Sequence, residues 1–185
     1  MKTVVLLAHP EFAASRANRA LLAGLDDLPG MEITDLYALY PDGKIDYALE
    51  RERVLRADRL VLQFPLFWYS TPPLLKHWQD TVLTPLFYLE PDIAAATTGL
   101  PILTAITTGG PSANYRLEGA TGNTVEGLLA PLIATARRCG WLWQAPFALH
   151  DVRNLDDAAL AQAGEAYRSR IRSAPTRERQ LEVLA

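Results

Sequence analysis

A chain of 185 residues, 49% hydrophobic and 21% charged, is long enough for one domain with a substantial core, which excludes wholesale disorder and a fibrous protein. A formal net charge of −3 excludes a broad electrostatic attraction to nucleic acid or anionic lipid. Cys139 is the single cysteine, so neither an intrachain disulfide nor a cysteine-rich zinc site is expected, and no metal is assigned.

Val4 to Ala8 is a continuous apolar run, which predicts a strand buried on both faces. His9-Pro10 ends the run too early for a signal peptide. No other apolar run approaches a membrane span, and the chain reads as cytoplasmic. A helix is expected from about Arg16 to Leu25, closed near Pro29-Gly30, and then a second strand from Met31 to Leu36. Ala48 to Ala57 reads as a charged, surface-facing helix, and Arg59 to Phe64 as a third strand. Pro72-Pro73 opens a helix whose Leu74, Leu75, Trp78 and Val82 share one face.

The connection from Thr84 to Leu100 is long, and such connections often serve as binding loops or lids. Ile102 to Thr107 is the fourth strand. Val125, Leu128, Leu129, Leu132, Ile133 and Ala136 keep helical spacing, with Pro131 starting or kinking the helix and Gly140 terminating it. Trp141 to His150 holds a fifth strand. Asp156 and Asp157 begin a last helix that lines up Leu160, Ala163, Tyr167 and Ile171.

Five strands alternating with helices define an α/β fold with a parallel sheet covered on both sides, in the doubly wound order 2-1-3-4-5. Residues 1–172 read as one domain, and 173–185 as a polar tail that is loose or a short extra helix. In such a sheet ligands bind beyond the carboxyl ends of the strands, where the strand order reverses. The segments leaving strands 1, 3 and 4 therefore carry the chemistry.

After strand 1, Ser15 can cap a helix whose Arg16, Ala17 and Asn18 offer backbone N–H groups to a phosphate, with a simple N-cap as the alternative. The G-x-G-x-x-G and Walker patterns are absent, so a phosphate here needs a different cradle. After strand 3, Phe67-Trp68-Tyr69 are costly to expose; a flat heterocycle, a neighbouring subunit or the core would cover them. After strand 4, Gly109-Gly110 allow positive φ and close approach to a ligand, or form an ordinary tight turn.

Together these stretches resemble the NAD(P)H:quinone oxidoreductase family of flavodoxin-like proteins, in particular the bacterial branch with the ancillary oxidoreductases of Kef-type potassium-efflux systems. The matching residues are Ala8-His9-Pro10 with Ser15 to Asn18, Asp35-Leu36-Tyr37 with Tyr40-Pro41-Asp42, and Pro65 to Tyr69 with Pro72 to Lys76. Trp78-Gln79-Asp80, Thr107 to Gly110, and Cys139-Gly140 with Pro146-Phe147 extend the match over roughly residues 3 to 150.

The resemblance implies a flavodoxin-like fold and a bound flavin, FMN in preference to FAD because the chain ends soon after the fifth helix. It implies that His9, Ser15, Arg16, Ala17 and Asn18 hold the phosphate. Leu66, Phe67, Trp68 and Tyr69 would flank the isoalloxazine ring, and Thr107, Thr108, Gly109 and Gly110 would approach its pyrimidine side. It further implies a homodimer, built in part by the helix carrying Lys76, Trp78 and Asp80, and a ping-pong reaction from NAD(P)H to a quinone-like acceptor.

Some members pair a tyrosine after the double glycine with a histidine six residues later. Here Tyr115 keeps the first place, as a candidate catalytic residue, and Thr121 stands in the second, so a tyrosine–histidine relay is not expected. His77 and His150 read as surface or strand-end residues, and Tyr88 as a candidate pocket wall. Two rivals stand beside the reductase. One is a regulatory subunit of a membrane potassium-efflux transporter, which would place the chain peripherally at the inner membrane. The other is a pure electron-transfer flavodoxin, disfavoured by the His9-Pro10 loop and the near-neutral charge.

Overall fold

Alternate residues of a strand face opposite ways, so an unbroken apolar run needs cover on both sides. The computed structural model, which describes residues 1–177, supplies that cover. Strand β1 (Thr3–Leu7) is buried along its whole length. Its Val4 and Leu6 enter one core layer, and Val5 enters the other.

In chain order there follow α1 (Arg16–Leu22), β2 (Met31–Asp35), the single turn α2 (Leu36–Leu39), α3 (Tyr47–Leu55) and β3 (Arg59–Pro65). Next come α4 (Pro73–Trp78), a π-helical turn (Gln79–Leu83), α5 (Thr84–Tyr88), α6 (Pro91–Ala94) and β4 (Pro101–Thr107). The described chain closes with α7 (Val125–Leu128), α8 (Ala130–Arg138), β5 (Leu142–Trp143), β6 (Phe147–Leu149) and α9 (Asp157–Ser173).

The sheet runs β2-β1-β3-β4-β5, all parallel, and β6 also pairs with β4. The expected fifth strand is thus present but split. Gln144 to Pro146 interrupt it, and proline has no N–H to give to a ladder. On one face α3, α4 and α8 bring Val54, Leu75, Trp78 and Leu132 against Leu60, Phe64 and Ile106. On the other, α1 and α9 bring Leu21, Tyr167 and Ile171 against Val61 and Leu103.

Three expectations are corrected. The α3 helix is not simply surface-facing: Glu50 is fully buried and Arg53 nearly so. Glu50 accepts hydrogen bonds from Tyr40 (2.8 Å), Trp78 Nε1 (2.8 Å) and Arg53 Nε (3.1 Å), so its charge is paired and its oxygens are satisfied. The 84–100 connection is no open lid; α5, α6 and a 3-10 turn (Ala95–Thr97) fill most of it, with Leu86, Ala94 and Leu100 buried.

The start of the tail is packed. Arg59 donates to the carbonyls of Ile171, Ala174 (2.7 Å) and Pro175 (3.0 Å), which closes the C-terminus of α9. Residues 178–185, the rest of the expected loose end or short helix, lie outside the described residues. Among the described residues no helix is long and apolar enough to cross a membrane.

Candidate functional site

Sheet register decides which loops meet. Leu7 lies opposite both Asp35 and Gln63, Pro65 opposite Thr107, and Thr107 opposite Leu149. The carboxyl ends of β1, β3, β4 and β6 therefore open onto one edge. A cleft of about 440 Å³ lies there. His9 and Ala14 to Asn18 form one wall, Pro65 to Phe67 another, Thr107 to Gly109 a third, and Val152 with Arg153 a fourth.

Among the described residues the lining holds two arginines and a histidine and no carboxylate, a charge pattern that suits an anion. Ser15 caps α1, its Oγ accepting from the Asn18 amide at 3.3 Å. The amides of Arg16 and Ala17 have no partner among the described residues and remain available at the positive end of the helix. The Glu11 amide donates to His9 Nδ1 at 3.1 Å, so the neutral ring carries its proton on Nε2. Burial holds His9 below its ordinary 6.5, against the opposing pull of Glu11 and Asp35.

Below this turn sits a buried polar knot. Asn18, 1% exposed, donates from Nδ2 to Ser15 Oγ (3.2 Å) and Thr107 Oγ1 (3.1 Å). Gln63 Nε2 donates to the Asn18 carbonyl (3.1 Å) and to its Oδ1 (3.3 Å). One side chain thus joins α1, β3 and β4 at the point where all three meet the cleft.

Phe67 and Ser70 exchange both backbone hydrogen bonds, each at 3.0 Å, which closes a two-residue turn on Trp68 (φ 46°) and Tyr69 (φ 65°). Both are in the left-handed region, which a turn of this kind normally gives to Asn-Gly. Two bulky aromatics there cost about 1–2 kcal/mol each. Trp68 is 93% exposed and stands at the tip, outside the lining of the cleft, as does Tyr69. Phe67 meets His9 edge to face with ring centroids 6.3 Å apart.

The double glycine is explained differently than expected. Neither Gly109 nor Gly110 has a positive φ, and only at Gly110 would a Cβ crowd a neighbour, the movable end of a side chain. A Cβ on Gly110 would stand 2.9 Å from Asn114 Nδ2, and one on Gly109 would stand 3.5 Å from Arg153 Nε. Their amides have no partner among the described residues. Tyr115 lies just behind the turn, its hydroxyl 3.6 Å from the place of that Gly110 Cβ, and outside the cleft lining. Thr121 braces the loop by donating to carbonyls at Asn114 (2.7 Å) or Asn123 (2.8 Å).

Two side chains were not singled out for the site from the sequence. Arg153 projects over Gly109 and has no hydrogen bond or ion pair among the described residues. By contrast the Arg16 guanidinium is engaged with Asp157 (2.6 Å) and the Leu155 carbonyl (3.1 Å), so its backbone amide is the free donor. His150 contacts both Thr108 and Tyr115. Both follow β6, and their one sequence signal was that this strand ends on the same edge of the sheet as β4. Cys139 lies far from this chemistry; burial pushes its thiol up to about 12, where it is inert.

The parallel order β2-β1-β3-β4-β5, with an anion-suited cleft where the strand order reverses, defines a doubly wound α/β protein. The chain belongs to the flavodoxin-like fold family, which it matches over residues 1–171. It is 41% identical over 169 residues to the glutathione-regulated potassium-efflux system ancillary protein KefF of Klebsiella pneumoniae, covering 91% of this chain and 93% of that protein.

Among solved structures it is similar to general stress protein 14 of Treponema denticola in complex with FMN. That likeness has 34% identity and a TM-score of 0.81, and covers 93% of this chain and 97% of the other. It is also similar to an NADPH-quinone reductase from P. pentosaceus, with 27% identity, a TM-score of 0.83, and coverage of 95% and 100%.

Proposed function

We propose that residues 1–172 form one FMN-binding unit that takes hydride from NAD(P)H and reduces a quinone-like acceptor by a ping-pong route. The observation that carries this reading is the convergence on one cleft of free helix-turn amides, an apolar wall and a Cβ-free turn. The residues present fit the cofactor. His9 Nε2–H, Ser15 and the Arg16 and Ala17 amides would bind its phosphate, and Arg153 would balance the charge. Pro65, Leu66 and Phe67 would exclude water from the ring.

The Gly109 and Gly110 amides would orient the ring edge and steady negative charge there, with Tyr115 behind them as a proton aid. When bound, the flavin supplies the two-electron redox chemistry. The likeness to the Treponema protein, which is in complex with FMN, supports the cofactor, and the likeness to the P. pentosaceus NADPH-quinone reductase supports a quinone acceptor.

We also propose a homodimer. An apolar groove of about 710 Å³ runs along α4, α5 and α8, reaches Ser70 at the aromatic turn, and is flanked by the exposed Tyr88 and Leu89. A second copy is the cover this reading assigns to it. The likeness to KefF favours a second reading, an ancillary subunit of a potassium-efflux transporter with reductase activity subordinate to regulation.

The purified protein should be yellow, bleach anaerobically with NADPH or NADH, and recover on adding a quinone. Bleaching without acceptor turnover would favour the ancillary role. A protein that takes up no FMN would end the reductase reading.

A further inference from the structure

His150 stands at the end of β6, half-buried between the double-glycine turn and Tyr115. Its Nδ1 is 2.9 Å from Thr108 Oγ1, and its ring is tilted 31° on Tyr115 with centroids 5.0 Å apart. The direction of the first contact follows from counting protons. Thr108 Oγ1 is also 2.9 Å from the Gly110 carbonyl, and a carbonyl can only accept. The one hydroxyl proton therefore goes to Gly110, and the proton on the 2.9 Å contact must come from His150 Nδ1.

The backbone is arranged to the same end. Asp151, next in sequence, takes φ 56°, in the left-handed region that non-glycine residues avoid. That brings its amide 2.9 Å from the same Gly110 carbonyl, whose two lone pairs are then both filled. Val152 N donates to Thr108 O at 3.1 Å, and Thr108 N to Leu149 O at 2.9 Å. The amides of Asp151, Val152 and Thr108 tie this turn to the segment carrying Gly109 and Gly110, and Asn154 donates back to Asp151 O (2.9 Å) and Oδ1 (2.8 Å).

We propose that His150 is a positioning residue of the flavin site, fixed in the Nδ1–H tautomer, which sets the double-glycine turn through Thr108 and backs the ring of Tyr115. The inference rests on the flavin reading above. It supplies Tyr115 with a histidine from a distant part of the chain, although Thr121 cannot serve as one. Burial, which holds His150 below its ordinary 6.5, keeps the ring neutral near pH 7, consistent with a single proton on Nδ1.

Two measurements test the proposal. In the flavin-free protein, ¹⁵N chemical shifts of the His150 imidazole should place the proton on Nδ1; a proton on Nε2 would overturn it, whatever the protein binds. FMN affinity, read by quenching of flavin fluorescence, then separates three variants. His150→Asn keeps a donor near the place of Nδ1 and should bind within about twofold of the parent. His150→Gln moves the donor outward, and His150→Phe keeps only a ring; each should bind about fivefold more weakly, about 1 kcal/mol.

Equal affinity for Asn and Gln, or parent affinity in all three, would refute the role. If the Phe variant does not fold, the Asn–Gln comparison still decides. A parent protein that binds no FMN would defeat the function proposed above and leave the tautomer result to judge His150.

Discussion

The polar knot at Asn18 allows stability and phosphate recognition to be separated with two substitutions. Asn18→Ala removes the two Nδ2 bonds, at 3.2 and 3.1 Å, and the longer bond from Gln63, while Gln63 keeps the Asn18 carbonyl. At about 1 kcal/mol for each of the three neutral bonds, less about 0.5 kcal/mol regained because alanine is the better helix former, the loss is about 2.5 kcal/mol. A melting midpoint about 5–10 °C lower follows for a domain of this size.

Asn18→Asp has the same shape. The Ser15 and Thr107 hydroxyls can turn to donate to the new oxygen, and a carboxylate in the first turn of α1 suits the helix dipole. Those donors offset much of the cost of burying the carboxylate, so its melting midpoint should fall no further than that of Asn18→Ala. Its charge, however, enters an anion cradle. At an effective dielectric constant of about 20, two unit charges about 6 Å apart repel by about 3 kcal/mol, or about a hundredfold in Kd.

The assay is titration of the flavin-free protein with FMN and with riboflavin, which lacks the phosphate. The Asp variant should lose FMN affinity by at least about tenfold after screening and keep its riboflavin affinity. Equal losses for both ligands would mean that the substitution damages the site in general, and no loss for either would remove the α1 turn from phosphate binding.

Gly110→Val should weaken FMN binding about tenfold, because a branched side chain there displaces Asn114 and crowds the space beside the Gly110 amide that the ring edge would use; parent affinity in a fluorescence titration would contradict this. Tyr115→Phe should slow steady-state quinone reduction roughly tenfold with FMN affinity unchanged, and an unaltered rate would reduce Tyr115 to a wall. His9 and His150 are both held below 6.5 by burial, so the unfolded chain binds their protons first as the pH falls. The stability they support is complete above pH 6.5 and is lost as the pH drops through their lowered folded values. Thermal unfolding between about pH 7 and 5 should show this decline, and His9→Gln should flatten it; an unchanged slope would count against the buried neutral state of His9.

The sheet was legible because runs such as Val4–Leu7 and Leu60–Phe64 carry no polar alternation, and such runs have one stable place. The three candidate segments come together for the same reason: register puts the ends of neighbouring parallel strands side by side. Burial of Glu50 was not legible, because its partners Tyr40 and Trp78 arrive from outside α3 and leave no periodic mark on it. The split of the last strand into β5 and β6 depended on how Gln144 to Pro146 leave the ladder. Arg153 and His150 belong to no motif and gain meaning from lying next to β4 in space, about forty residues further along the chain.

The turn at Trp68 and Tyr69 also marks a limit for anyone seeking a hardier version of the protein. Replacing the pair with Asn-Gly would relax the backbone and raise heat resistance in the absence of cofactor. The same exchange would strip two exposed rings from the turn that borders the groove along α4, α5 and α8, so gains in shelf life would come with the loss of that apolar surface.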